Sequence, residues 1–304
     1  MSTAFADRAP LPAWRSLLYV PVNVESYVAK AHLRGADAII LDLEDSIAVG
    51  DKAAARELVG DAARRAGAGG ADILVRINRP LELAVADIAA AVCAEVAGFL
   101  LPKIDSASHL RLLAEVTLNA EIARGLPPGH TLFVPMVETA EAFPRMHEIA
   151  AAHPRNVAMS LGGEDFALAT HSEPSPEVLL YPKQQLVIAA RAAGILPVGL
   201  IGTVADYQDT DAVRETARRS RRFGFAAGSG IHPAVVPALN EGFGPSPEEC
   251  ASAYRVIEAF AAAERAGRGS VEVDGRMVDI PVVERARAVV ARAERLAARH
   301  APAS

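Results

Sequence analysis

Eight short, largely apolar runs recur along the chain, and the first seven are each followed by a longer stretch that reads as a helix. The runs are 17–20, 38–41, 73–77, 98–101, 131–137, 157–161, 196–201 and 224–231, the last being poor in β-forming residues. The stretches that read as helices are 24–34, 51–66, 84–94, 106–123, 139–151, 182–193 and 210–222. A Pro- and Ser-rich segment, HSEPSPEVLLYP, separates the sixth run from its helix. Strands apolar on both faces belong to a parallel sheet covered by helices. Eight such units in succession predict a (β/α)8 TIM barrel. An open doubly wound sheet is the structural rival. It calls for a glycine-rich phosphate loop after the first strand, and VPVNVES contains none.

The barrel is expected to occupy residues 1–243, with a C-terminal extension over 244–304. In the extension a helix is predicted over 247–266 behind the turn Pro245-Ser246-Pro247. The Asp274-Gly275 pair marks a hairpin over 271–278, and a last helix covers 282–299. A closed barrel cannot add strands, so the extension is expected to act as a helical lid or to pack against another subunit.

The 304 residues carry a formal net charge of −6, with no basic footprint for nucleic acid. The run Arg218-Arg219-Ser220-Arg221-Arg222 reads as a solvated helix face, with phosphate binding as the lesser alternative. Cys93 and Cys250 have no metal spacing and suggest a reducing compartment. No apolar run is long enough for a membrane span, and the N-terminal segment has no signal-peptide pattern. Cytoplasmic location is the expectation.

In a barrel of this kind catalytic side chains stand where strands end. Asp42, Glu44 and Asp45 follow the second run; Arg76 and Asn78 end the third; Lys103 follows the fourth. Glu138 follows the fifth, Glu164 and Asp165 the sixth, and His232 the eighth. Together they describe one polar mouth rich in carboxylates. Glu138 and Asp165 come from adjacent strands, and two close carboxylates need a proton or a cation between them. Oxygen donors without a His/Cys cluster suit Mg²⁺ rather than Zn²⁺. Asp165 reads as a metal ligand, or else as a cap of the next helix. Gly162 and Gly163 let the backbone run close to a bound substrate.

Arg76 offers a fork for a substrate carboxylate, or an ion pair with Asp42 or Glu44. Glu44 is placed to orient metal-bound water. Lys103 meets an anionic ligand or neutralises the acidic mouth. His232, before Pro233, reads as structural.

The residues resemble the citrate lyase β-subunit-like group of the HpcH/HpaI aldolase/citrate lyase family. The motifs are RSLLYVP (15–21), GADAIILDLEDSI (35–47), VRIN (75–78), LLPKID (100–105), VETAEAF (137–143), LGGEDF (161–166), IHP (231–233) and GRMVDIP (275–281), in family order over nearly the whole chain. The resemblance implies a Mg²⁺-dependent lyase that splits a 3-hydroxyacyl thioester of malyl, citramalyl or citryl type into an acetyl thioester and a 2-oxo acid. It implies that Glu138 and Asp165 hold the metal and that Arg76 binds the substrate carboxylate and oxyanion. It implies that Asp279 is a lid acid/base supplied by a neighbouring subunit of a trimer or hexamer. Aldol cleavage of free hydroxy-oxo acids, a carrier-protein-linked citryl lyase and a non-catalytic subunit are the other readings.

The chain departs from the family pattern at Val22, where a glycine is usual after Pro21. It departs again at 227–233, which lacks a lysine, and at 203–209, where a Tyr/Asp pattern is usual. These positions border the thioester-carrier site in relatives.

Overall fold

The computed structural model describes residues 10–202 and 208–300. It divides into two compact units that meet in sequence between Asn240 and Glu241.

The first unit is built on eight strands: β1 (Ser16–Pro21), β2 (Ala38–Asp42), β3 (Asp72–Arg76), β4 (Gly98–Leu101), β5 (Leu132–Val137), β6 (Ala158–Leu161), β7 (Leu196–Val198) and β8 (Gly228–Gly230). They pair in parallel in the order β7-β6-β5-β4-β3-β2-β1-β8. A bridge between Val198 and Ala227 joins the two ends into a barrel, as the eightfold repeat predicts. β8 is Gly-Ser-Gly and has little propensity of its own. Its pairing with β1, Ser16 to Gly228 and Leu18 to Gly230, imposes the extended form. Gly230 is needed there, because a β-carbon would stand 2.4 Å from a Val235 methyl group.

The barrel is filled by a buried cluster that includes Leu17, Ala38, Ile40, Leu74, Leu100, Val134, Met136, Ala158, Leu196 and Val198. These residues recur two apart along single strands, as the pleat requires for one face. Two more residues along the same inward register lead from Leu17 to Tyr19, from Ile40 to Asp42, from Leu74 to Arg76 and from Met136 to Glu138. The top interior layer is therefore polar because the inward positions of the strands change chemistry at their C-terminal ends.

At the opposite end of β5 and β6, Glu121 accepts two 2.6 Å bonds from Arg155 and further bonds from the Gly129 and Thr131 backbone. Both side chains are buried, and full pairing makes the two charges tolerable there.

Two predicted helices differ from expectation, and one helix was not predicted. The stretch 139–151 holds only a 3₁₀ turn, Phe143–Arg145, and a short helix, Met146–Ala150. Pro144 lacks an N–H and cannot sit inside a longer helix; it stands within the first turn, Phe143–Arg145, and the α-helix begins only at Met146. The stretch 51–66 is split into Lys52–Glu57 and Val59–Gly67, with Leu58 N donating three residues back to Ala55 O. A short helix that the Pro/Ser reading missed, Gly163–Ala169, follows β6 directly, ahead of Leu180–Ala192.

The second unit has the helix Pro247–Arg265, the hairpin β9 (Val271–Val273) and β10 (Arg276–Val278), and the helix Ile280–His300. Ser246 and Glu249 form a reciprocal capping box at the first helix. Asp274 and Gly275 both take positive φ at the hairpin turn, as a type I′ turn demands. Phe260, Val278 and Val283 form one buried cluster; Ala253, Ala286 and Val290 form another. No helix among the described residues is long and apolar enough to cross a membrane.

Candidate active site

Arg76 is fixed from two sides. Its Nε and Nη2 each lie 2.7 Å from an oxygen of Asp42, a bidentate pair between neighbouring strand ends. Its Nη1 lies 2.9 Å from Glu44 Oε2 and 3.3 Å from Asp45 Oδ2. The guanidinium also lies over the Tyr19 ring, 5.1 Å from its centre, a cation–π contact inside the barrel. Burial opposes charge on Asp42, but the guanidinium outweighs it and holds the carboxyl below the usual range. Glu44 is raised instead: burial outweighs its attraction to Arg76 and Lys103. The ion-pair reading of Arg76 is thus realised with Asp42, Glu44 and Asp45 together, and the fork leans on protein carboxylates.

Lys103 links this cluster to the other. Its Nζ lies 3.1 Å from Glu44 Oε1 and 3.2 Å from Asp165 Oδ1. Its backbone N–H donates to Glu138 Oε2 at 2.7 Å. Lys103 takes φ +48°, a conformation that L-residues rarely adopt; with it the N–H faces Glu138 while the ammonium reaches Glu44 and Asp165. Burial works against its charge, but Glu44 and Asp165 raise its pKa.

Glu138 is 2% exposed. Burial, with the charges of Glu44 and Asp165 adding to it, pushes its carboxyl up to about 7, against the Lys103 N–H. Gly162 runs past it so closely that a β-carbon would stand 2.1 Å from Glu138 Oε1. A β-carbon on Gly163 would meet a Leu179 methyl group at 2.9 Å. Gly162 is the N-cap residue of the helix Gly163–Ala169, and Asp165 is in its first turn without a side-chain capping bond. The capping alternative for Asp165 is therefore corrected: its carboxylate goes to Lys103.

Glu44, Arg76, Lys103, Glu138 and Asp165 are thus brought into one continuous cluster, with Asp42 behind it. Asn78 stands apart and braces the loops: its side-chain amide donates to Asp87 at 2.7 Å and to Leu43 O at 3.0 Å. His232 caps the 3₁₀ turn Pro233–Val235 by accepting from Ala234 N at 3.2 Å. Asp279 belongs to the second unit, where Oδ1 accepts from Val282 N at the start of the last helix. Of the altered segment at strand seven, 203–209, residues 203–207 lie outside the described residues.

Two residues of the mouth escaped the sequence reading. Tyr19 is signalled by period two, as the next inward position after Leu17. Lys183 is signalled by helical spacing, in step with the buried Leu186, Val187 and Ala190.

Among the described residues no group of three His, Cys, Asp or Glu side chains is disposed to hold a metal by itself. Mg²⁺ takes one or two carboxylates and completes its octahedron with water and substrate oxygens. Glu138 and Asp165 fit this donor set, and the missing β-carbon of Gly162 leaves the Glu138 carboxylate its place.

Residues 15–233 match the family model HpcH/HpaI aldolase/citrate lyase. The chain is 34% identical over 283 residues to citrate lyase subunit beta of Escherichia coli K12, covering 92% of this chain and 93% of that protein. It is 35% identical over 288 residues to a (3S)-malyl-CoA thioesterase of Cereibacter sphaeroides KD131, covering 94% and 96%. Its fold is similar to that of CitE from Mycobacterium tuberculosis in complex with magnesium, acetoacetate and coenzyme A. The TM-score is 0.73, with 30% identity, over 92% of this chain and 97% of that one.

Proposed function

The chain belongs to the HpcH/HpaI aldolase/citrate lyase family, and on that premise we propose that it is a Mg²⁺-dependent carbon–carbon lyase acting on a 3-hydroxyacyl-CoA thioester of malyl, citramalyl or citryl type. Its products are acetyl-CoA and a 2-oxo acid. The observation that carries this reading is the contact chain Arg76–Glu44–Lys103–Asp165, with Glu138 held by the Lys103 backbone. It sets an oxygen-donor pair beside a fixed guanidinium.

Mg²⁺ held by Glu138 and Asp165 would supply Lewis acidity toward the oxygens of the 2-oxo acid. The remaining work falls to the chain. Cleavage removes the proton of the 3-hydroxyl group, breaks the C2–C3 bond and leaves its electron pair on the acetyl thioester as an enolate. The hydroxyl carbon becomes the carbonyl carbon of the oxo acid. Glu44, buried and raised, is suited to hold or pass a proton at the mouth. Arg76 cannot rotate freely, because Asp42 holds two of its nitrogens. Its charge is therefore preorganised where enolate charge develops. Protonation of the enolate carbon completes acetyl-CoA; Asp279 is the proposed donor, brought by a neighbouring copy in a trimer or hexamer.

Hydrolysis is a second reading, favoured by the 35% identity to the malyl-CoA thioesterase. The products separate the two. Purified protein is incubated with malyl-, citramalyl- and citryl-CoA in Mg²⁺. Acetyl-CoA with equimolar 2-oxo acid is expected; free CoA with the intact hydroxy acid would assign the hydrolase instead.

A further inference from the structure

A cavity of about 430 Å³ opens beside the acidic pair, on the side of β6, β7 and β8. Gly163 and Glu164, the residues just before Asp165, form part of its wall. Tyr19, under Arg76, forms another part. Most of the rest is apolar, with Leu161, Leu186, Val198 and Phe225 among it. Into this wall the helix Leu180–Ala192 sets Lys183, which is 8% exposed.

The other two cations of the mouth are committed to carboxylates, Arg76 to Asp42, Glu44 and Asp45, and Lys103 to Glu44 and Asp165. Lys183 is not. Its ammonium donates to the Gly202 carbonyl at 3.2 Å, and no carboxylate among the described residues forms an ion pair with it. Glu164 shares the wall and attracts it without contact. An ammonium has three donors, and leaving a buried charge without a counter-ion is costly. Burial lowers the amine to about 8, so the cation still predominates at neutral pH.

We infer that this cavity receives the side chain of the 2-oxo acid half of the substrate, and that Lys183 binds a second carboxylate at its far end. The inference rests on the proposed oxo-acid site at Glu138 and Asp165 and narrows its substrate class to thioesters of hydroxy acids with an additional acidic arm. The cavity exceeds what the methyl group of pyruvate fills. A largely apolar wall that carries Lys183, with Glu164, Ser229 and His232 among its other polar side chains, admits an alkyl chain that ends in an anion at the ammonium and penalises a neutral end, which leaves the ammonium unpaired.

The test compares matched oxo acids in Mg²⁺ by calorimetric titration: 2-oxoglutarate against 2-oxopentanoate, equal in chain length and different in the terminal carboxylate. The wild-type protein is expected to bind the dicarboxylate about tenfold more tightly or better, the effect of one charge-assisted hydrogen bond. Lys183→Met, of similar volume and compatible with an apolar wall, is expected to bring that ratio near one, while Lys183→Arg keeps a preference for the dicarboxylate. A wild-type ratio near one overturns the inference without recourse to any variant, as does an unchanged ratio in Lys183→Met. Failure of the underlying reading looks different: neither acid would then bind in a Mg²⁺-dependent way.

Discussion

Gly162 and Glu138 approach so closely that a β-carbon on the glycine would stand 2.1 Å from the carboxylate oxygen. The glycine thus protects a carboxylate, and its replacement tests that relationship. Gly162→Ala must push Glu138 aside or shift the backbone after β6, at a cost of about 1–3 kcal/mol for overpacking. Displacement of a ligand by an ångström costs on the order of a hundredfold in rate. The variant is expected to remain folded by circular dichroism and to lose Mg²⁺-dependent turnover about a hundredfold. Wild-type turnover would show that the Glu138 position is unimportant.

Asp42 and Arg76 make a bidentate pair at the ends of neighbouring strands. Asp42→Asn removes the charge that balances a buried guanidinium and is expected to cost about 3–5 kcal/mol near neutral pH. The folded-state pKa of Asp42 lies below its ordinary value of 3.8. Its contribution is therefore fully present above that value and is lost as pH falls through the depressed folded pKa. Urea unfolding of wild type and variant should give midpoints that differ at neutral pH and converge in acid. A gap independent of pH would contradict the pairing.

Asp279 offers a test of action between subunits. Asp279→Ala and Asp165→Asn are each expected to be inactive alone. Coexpressed mixed oligomers, verified by native mass spectrometry, should recover activity, because an intact metal site in one copy would meet an intact Asp279 from another. Mixed oligomers without activity would contradict action of Asp279 across subunits.

Much of this site was legible in the sequence because strand chemistry is local. Asp42, Arg76 and Glu138 stand two residues past inward apolar positions, so period two and the barrel repeat placed them at one mouth. Lys183 was not legible in the same way. Its signal is helical, and its value depends on which wall the helix Leu180–Ala192 supplies, a matter of tertiary packing. The short helix Gly163–Ala169 was hidden by two glycines at its start and the Pro/Ser segment after it. The double use of Lys103, backbone to Glu138 and ammonium to Glu44 and Asp165, goes with a positive φ that residue type does not announce.

The most direct test of the metal-dependent lyase is the initial rate of acetyl-CoA release from malyl-, citramalyl- and citryl-CoA, with Mg²⁺ and with a chelator, for wild type and Asp165→Asn. The account predicts release from at least one thioester by wild type in Mg²⁺, abolished by the chelator and abolished in a folded Asp165→Asn variant. Release that survives both the chelator and the substitution would contradict it.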